Sequence, residues 1–353
     1  MYVLILAGGT GTRLWPISRK SSPKQLSAII GQETLVQATV KRVLPIVPTE
    51  NIFFSTNRIY SKFIKEQLPN IPPSNIIEEP SGKNTAACIG LATMHLHQLD
   101  PEAVMVSLHS DHFITDEESL QQAILAAVEV AQQGYLATLG VTPTRPDTGY
   151  GYIKRGLKLG QYHQYEVYQV AQFLEKPDFP TAQRFVTSGE YYWNTGMFAW
   201  KISTLLEAFQ EYMPKFYQQL TQIEQAIQSK QSIEPIWQQI EPQSIDVGIM
   251  EQSNKVAVVP VNFGWDDVGS WEVLYKINEK NEQNNVVLNS EHVSFDSSGL
   301  MIQGNGRFIA TIGLKDIIIV DTDDALLICA KDKSQDAKKV VEWLKAHGRI
   351  ELI

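Results

Sequence analysis

Two cysteines among 353 residues are too few for a disulfide framework. Cys88 and Cys329 lie far apart and neither begins a Cys-x-x-Cys pair, which leaves no zinc or redox motif and suits free thiols in a reducing compartment. Positive charge is also scarce: 30 Lys and Arg stand against 39 Asp and Glu, a formal net charge of -9. That balance excludes general nucleic-acid binding, which needs a basic surface to displace counterions from phosphates. A few local cations still suffice for a small phosphate ligand. Long apolar runs are missing too, because no stretch approaches the roughly 18 residues that would span a bilayer. The N-terminal run Tyr2 to Ala7 is short, has no basic leader and runs straight into Gly8-Gly9, unlike a signal peptide. A soluble, cytoplasmic protein with no membrane or nucleic-acid partner is expected. Hydrophobic residues make up 43%, enough for a sizeable core.

What is present is an alternation. Tyr2 to Ala7, Ile52 to Thr56, Ala103 to Leu108 and Leu136 to Val141 read as buried strands. Helix-length segments, Thr34 to Leu44 and Thr85 to Leu99, lie between them. A further helix runs from Leu120 through Val130, with Thr115 and Glu118 as its capping box and Gly134 as its stop. This order predicts an α/β fold with an open, mostly parallel, Rossmann-like sheet. The Gln-rich stretch Thr204 to Gln239 reads as a solvated helical face. From Asn285 the pattern changes to short β-type runs between Gly, Asp, Ser and Asn turns, which predicts a small β-rich, solenoid-like module. A last helix, Ser334 to His347, has Ser334 as its expected cap and Gly348 as its stop. Two domains are therefore expected: residues 1–284, and residues 285–353 with the terminal helix.

The first strand ends in Leu6-Ala7-Gly8-Gly9-Thr10-Gly11-Thr12-Arg13-Leu14-Trp15-Pro16. Glycines here let the backbone approach a ligand and turn its N–H groups toward an anion. A Walker A loop fails, because no Lys-Ser or Lys-Thr follows. A dinucleotide loop fits only in part, because Leu14 stands where a third glycine belongs. A simple tight turn needs less than three glycines and an arginine. Arg13, and Lys24 in Ser22-Pro23-Lys24-Gln25, supply charge for a triphosphate.

These two segments together resemble the signature of the sugar nucleotidyltransferases, with the nucleotide-diphospho-sugar transferase fold. The Trp-Pro pair and the Pro-Lys-Gln spacing resemble most the branch that transfers a guanylyl group. The resemblance continues along the chain. Glu79-Pro80-Ser81-Gly82-Lys83-Asn84-Thr85-Ala86 is similar to the segment that lines the base pocket, with helix capping by Asn84 or Thr85 as the plain reading. His109-Ser110-Asp111-His112 resembles a P-A-D-H segment whose Asp binds Mg²⁺; His109 and Ser110 replace the usual Pro and Ala. A zinc site on His109, Asp111 and His112 is the other reading, with no further ligand cluster to complete it. Trp265-Asp266-Asp267-Val268-Gly269 resembles the second metal segment, with Asp267 the ligand and Asp266 the weaker candidate.

On the sugar side, Thr148-Gly149-Tyr150-Gly151-Tyr152-Ile153 resembles the loop that contacts the hexose. Phe173-Leu174-Glu175-Lys176-Pro177 implies Glu175 for sugar hydroxyls and Lys176 for the sugar phosphate. Trp193-Asn194-Thr195-Gly196 places Asn194 on a hydroxyl, while Asp246 is read evenly as a substrate contact or a support of the sheet.

The resemblance implies an enzyme whose substrates are GTP and mannose 1-phosphate and whose cofactor is Mg²⁺; the β-type runs from Val286 and the last helix carry little chemistry of their own and are expected to pack against a second subunit or the catalytic domain, which makes a homodimer the expectation. Its implied nucleotide site comprises Leu6, Ala7, Gly8, Gly9, Thr10, Gly11, Thr12, Arg13, Lys24, Glu79, Pro80, Asn84 and Thr85. Gly149, Tyr150, Glu175, Lys176 and Asn194 would take the sugar phosphate, with Asp111 and Asp267 on the metal. Arg13, Lys24, Lys176, Asp111 and Asp267 would carry catalysis. The alternatives are UTP or dTTP with glucose 1-phosphate, or a non-catalytic subunit that binds nucleotide sugar. The added isomerase activity that some relatives carry on a long C-terminal extension is not expected of these residues.

Overall fold

The structure, a computed structural model, describes residues 1–9 and 11–353. Residues 1–8, 39–110 and 114–265 form one compact unit, and residues 9–38, 111–113 and 266–353 form another.

The first unit is built on a twisted sheet of β1 (Tyr2–Leu6), β2 (Ile52–Asn57), β3 (Ile76–Glu79), β4 (Val104–His109), β5 (Leu136–Val141), β6 (Tyr152–Tyr162), β7 (Tyr165–Leu174), β8 (Tyr191–Lys201) and β9 (Val256–Val261). Their order is β3-β2-β1-β4-β8-β5-β9-β7-β6. β1 lies parallel to β2 and β4, β2 to β3, and β5 to β9. Among the described residues only β7 and β8 oppose the common direction, pairing antiparallel with all their neighbours. The sheet is thus mostly parallel. Val3, Leu4 and Ile5 are fully buried, as a strand with partners on both edges and cover on both faces requires.

Two local expectations are corrected here. The helix Glu117–Gln132 is capped by Asp116, whose carboxylate accepts from the Ser119 N–H at 2.9 Å. Thr115 instead donates its hydroxyl to the Phe263 carbonyl. A carboxylate one residue nearer the helix reaches the orphan N–H better, and the aligned helix dipole favours its charge. The Gln-rich stretch is more than a solvated face. It folds as Ile202–Tyr212, Pro214–Gln228 and Glu234–Gln238, and buries Leu205, Phe209, Phe216, Leu220, Ile223 and Trp237 in the main core. Apolar residues at helical spacing make that stripe, which the surrounding glutamines dilute in a composition count.

In the second unit the C-terminal strands coil. β10 (Val286–Leu288), β12 (Met301–Gln303) and β14 (Ile317–Asp321) pair in parallel, and β15 (Leu326–Ala330) closes that sheet antiparallel. β11 (His292–Phe295) and β13 (Ile309–Ile312) pair in parallel in a second sheet. Successive turns that return to the same two sheets make the β-helix-like module. β12 is only three residues long, too short for its period to show in the sequence. The last helix begins at Ala337, after a 3-10 turn Lys331–Asp336 that holds Ser334 fully buried; Ser334 is not its cap.

The larger of two apolar clusters in this unit joins its segments, and Leu300, Ile302 and Ile319 form the smaller. Leu14 and Trp15 from the segment after the glycines pack with Val268, Trp271, Leu274, Val286, Met301, Ile318, Val341, Leu344 and Ile353. Among the described residues no helix is long and apolar enough to cross a membrane.

Candidate active site

Four of the residues expected to handle phosphate and metal, Arg13, Lys24, Asp111 and Asp267, lie in the second unit, while Lys176 lies in the first. Gly11 has φ +60°, and a Cβ there would lie 2.8 Å from Ser18 Oγ and 2.9 Å from Lys24 Cβ. Glycine is therefore what lets the loop fold down onto Lys24. Gln25 fixes the loop from the other side, donating its amide to the Gly9 carbonyl at 2.9 Å. Thr10 lies outside the described residues.

Lys24 is 7% exposed. Its ammonium lies 2.8 Å from Asp111 Oδ2 and donates to the main-chain carbonyls of Asp267 and Val268 at 3.0 and 3.3 Å. Val268 has φ +47°, a conformation that β-branched residues rarely adopt, and strain of this kind concentrates at functional sites. The Gly269 N–H donates to Asp267 Oδ1 at 2.9 Å. A Cβ on Gly269 would lie within 3.0 Å of both Asp267 carboxylate oxygens and 3.2 Å from Arg13 Nη1, so that glycine leaves room for anion and cation together.

Arg13 is exposed and also donates to Gln335 Oε1 at 3.3 Å. Trp15 donates to the Leu352 carbonyl and Trp271 to the Trp15 carbonyl. These tryptophans hold the segments in place from the core side and are buried there.

The remaining candidates lie in the first unit. Leu6 finishes β1, Ala7 follows it, and Gly8 lies beside Glu79. Glu79 is 7% exposed and accepts from the Ser55 hydroxyl at 3.0 Å; burial lifts its carboxyl from 4.5 to about 7, with the Ser55 hydroxyl pulling the other way. Asn84, at φ +69°, accepts from the Thr85 N–H at 2.8 Å, and the Thr85 hydroxyl accepts from the Ile245 N–H at 2.9 Å. The cap position of this helix is Lys83, with no side-chain cap bond, so Asn84 and Thr85 do not serve as its cap.

A polar bowl lies further along the same unit. A Cβ on Gly151 would lie 2.5 Å from Glu175 Oε1 and 3.3 Å from Asn194 Cβ, so only glycine admits both side chains. Asn194 donates Nδ2 to Asp246 Oδ1 at 2.7 Å, and its Oδ1 accepts from the Gly196 N–H at 3.0 Å. The amide orientation is thereby fixed, and Asp246 gains a definite structural task. Burial, then the nearby Asp246 charge, raises the Glu175 carboxyl above its ordinary range; burial, then Glu175 and Asp246, does the same to Glu251.

Lys176 has φ +44° just before Pro177, and its ammonium is exposed, 3.7 Å from Glu175 Oε2. Gly149 is exposed, whereas the Tyr150 ring is buried against Trp193 and Trp265. The sequence reading passed over Arg145 and Asp147, which brace this loop. Neither stands in a periodic segment or in a glycine motif, so nothing local singled them out.

Comparison with known families decides what this arrangement belongs to. Residues 2–284 match the nucleotidyl transferase family model, and residues 290–344 match the MannoseP isomerase/GMP-like β-helix domain. The chain belongs to the nucleotidyl transferase family. Among curated members, a mannose-1-phosphate guanylyltransferase of Salmonella muenchen is 40% identical over 99% of this chain and 74% of its own length. The Escherichia coli protein of the same name is 36% identical over 99% of this chain and 75% of its own. Among solved structures, the one named mannose-1-phosphate geranyltransferase, from Thermus thermophilus, superposes with a TM-score of 0.89 at 32% identity, covering 98% of this chain and 99% of that one.

Nucleotidyl transferases of this family generally use a divalent metal. Asp111 and Asp267 offer hard carboxylate oxygens, and the Lys24 ammonium already occupies a cation position against Asp111, so the residues present fit such an ion.

Proposed function

We propose that this nucleotidyl transferase is a mannose-1-phosphate guanylyltransferase, converting GTP and α-D-mannose 1-phosphate to GDP-mannose and pyrophosphate. The carrying observation is a buried lysine held between Asp111 and the main chain of Asp267, in a chain similar over 99% of its length to enzymes of that name. A phosphate oxygen of mannose 1-phosphate attacks the α-phosphorus. The bond from that phosphorus to the bridging oxygen breaks, and pyrophosphate leaves with the electron pair. The nucleophile is already an anion, so positioning and charge neutralisation supply the catalysis.

Arg13 and Lys24 hold the leaving pyrophosphate, and Lys176 draws in the sugar phosphate against charge repulsion. Leu6 to Arg13, with Glu79, Pro80, Asn84 and Thr85, take the nucleotide. Gly149, Tyr150, Glu175 and Asn194 take the hexose. Asp111 and Asp267 would hold Mg²⁺, which when bound would neutralise charge developing on the phosphates.

Residues 1–284 make the catalytic domain and residues 285–353 a structural module; the enzyme works in the cytoplasm as a homodimer. Pyrophosphate release, measured over a grid of triphosphates and sugar 1-phosphates, tests this. The expected maximum is GTP with mannose 1-phosphate. Equal or better turnover of UTP or dTTP with glucose 1-phosphate would refute the substrate assignment, and no turnover of any pair would leave a binding subunit.

A further inference from the structure

The loop expected to contact the hexose is braced by a cation that no role has been assigned to. The Arg145 guanidinium carbon lies 5.0 Å from the Trp193 ring centre and 5.8 Å from that of Tyr150. Those rings meet edge to face, 5.2 Å apart, and Tyr150 leans on Trp265 at 5.0 Å. The same guanidinium reaches Asp147 Oδ2 through Nε at 3.1 Å and Nη2 at 3.0 Å. Asp147 in turn accepts the Gly149 N–H at its other oxygen, at 2.9 Å. The Tyr152 hydroxyl donates to the Asp147 carbonyl at 2.9 Å and accepts its N–H at 3.0 Å.

One planar cation thus ties Asp147 and Tyr150 of the turn 147–151 to Trp193, the neighbour of Asn194. Gly151 carries the line onward: its carbonyl accepts the Asn194 N–H at 2.8 Å, and its bare Cα admits Glu175.

We propose that Arg145 is a positioning residue for the hexose 1-phosphate: through Asp147, Tyr150 and Trp193 it holds the hexose loop against Glu175 and Asn194. The guanidinium suits this task because it stacks on aromatic faces while its edge binds a carboxylate. Lysine keeps the charge and loses both the plane and the fork. This inference rests on the mannose 1-phosphate reading of the same site.

The test is steady-state kinetics of the full chain with each substrate varied in turn, for Arg145→Ala, Arg145→Lys and Asp147→Asn. Losing a stacked, partly desolvated contact of this kind is worth about 1–2 kcal/mol, or about five- to thirtyfold. The KM for mannose 1-phosphate should therefore rise about five- to thirtyfold in Arg145→Ala, with the KM for GTP within about twofold of wild type. Arg145→Lys should recover little of the loss, and Asp147→Asn should share its pattern. A double variant, Arg145→Ala with Asp147→Asn, should lose little more than either alone.

An unchanged KM for mannose 1-phosphate, equal losses for both substrates, or full recovery by lysine would each overturn the proposal. Should Arg145→Ala not fold, Arg145→Lys and Asp147→Asn give the same decision. A wild-type enzyme that does not turn over mannose 1-phosphate overturns the substrate reading instead, and is seen before any variant is made.

Discussion

Single side chains carry the chemistry, and their legibility differed with their burial. Asp111 and Asp267 were singled out by motif, and both border Lys24, the first by its carboxylate and the second by its main chain. If both serve one ion, Asp111→Asn and Asp267→Asn should fold as wild type yet lose about 10²- to 10³-fold in turnover, since a metal that stabilises transition-state charge is worth several kcal/mol. The double variant should lose little more than either single. Metal-dependent turnover of each variant, with circular dichroism as the folding control, decides it; near-normal activity in either single variant ends the account. Glu79 makes a different test. Its folded carboxyl titrates near 7 instead of 4.5, so between those values the native state binds more protons than the unfolded chain. Stability contributed by the neutral carboxyl is present below pH 4.5, falls as pH rises to 7 and is flat above. At about 1.4 kcal/mol per unit the fall is about 3 kcal/mol. Glu79→Gln removes this titration, so urea midpoints should shift in the variant's favour between about pH 5 and pH 8. A midpoint difference independent of pH would place the carboxyl in its ordinary range. No motif announced this, because it arises from burial beside Gly8 and Ser55.

At the level of elements, what the sequence revealed were strands buried on both faces and glycines with a steric reason. β1, β2, β4 and β5 were legible as apolar runs. β6 and β7 were not, because they are long, half-exposed and rich in polar residues, so their alternation is blurred; β8 is mostly buried, but Asn194, Thr195 and Gly196 interrupt its apolar run in mid-strand. The Thr115 cap was misplaced for a related reason: Thr115, Asp116 and Ser119 all have capping chemistry, and only geometry picks among them. Asp116→Ala should then cost about 1 kcal/mol, and Thr115→Val clearly less, by chemical denaturation. The reverse order would restore the threonine cap. Gly11→Ala probes the phosphate loop as an element. An alanine at φ +60° is strained, and its methyl would push on Ser18 and Lys24. Turnover should fall at least about tenfold, at roughly 1.4 kcal/mol per decade. Activity equal to wild type would mean that Lys24 tolerates displacement and is not the clamp proposed.

On the scale of the whole molecule, the sequence reads residues 285–353 as a module of their own, because a change of strand spacing at Asn285 marks a change of architecture. Sequence spacing does not report which segments share a core. Val286, Met301, Ile318, Val341, Leu344 and Ile353 pack with Leu14, Trp15, Val268 and Trp271, the residues that flank the glycine loop and Asp267. Polar ties reinforce this: Arg19 pairs with Asp324 at 2.5 Å, Arg13 with Gln335 at 3.3 Å, and Trp15 with the Leu352 carbonyl at 2.8 Å. Cutting the chain at residue 284 therefore strips the apolar cover from Trp15 and Trp271 and frees the backbone that positions Arg13, Lys24 and Asp267. Loss of several fully buried aliphatic contacts at about 2 kcal/mol or more each exceeds the whole stability of most domains. The truncated chain should be insoluble, or soluble with exposed tryptophan and no turnover. Two milder variants separate this from a loss of dimerisation. Trp15→Phe and Leu344→Ala weaken the shared core and leave the outer face of the module intact, so light scattering should give the wild-type mass while unfolding midpoints and turnover fall together. A soluble 1–284 fragment with full activity would show that the phosphate loop and Asp267 stand without the module.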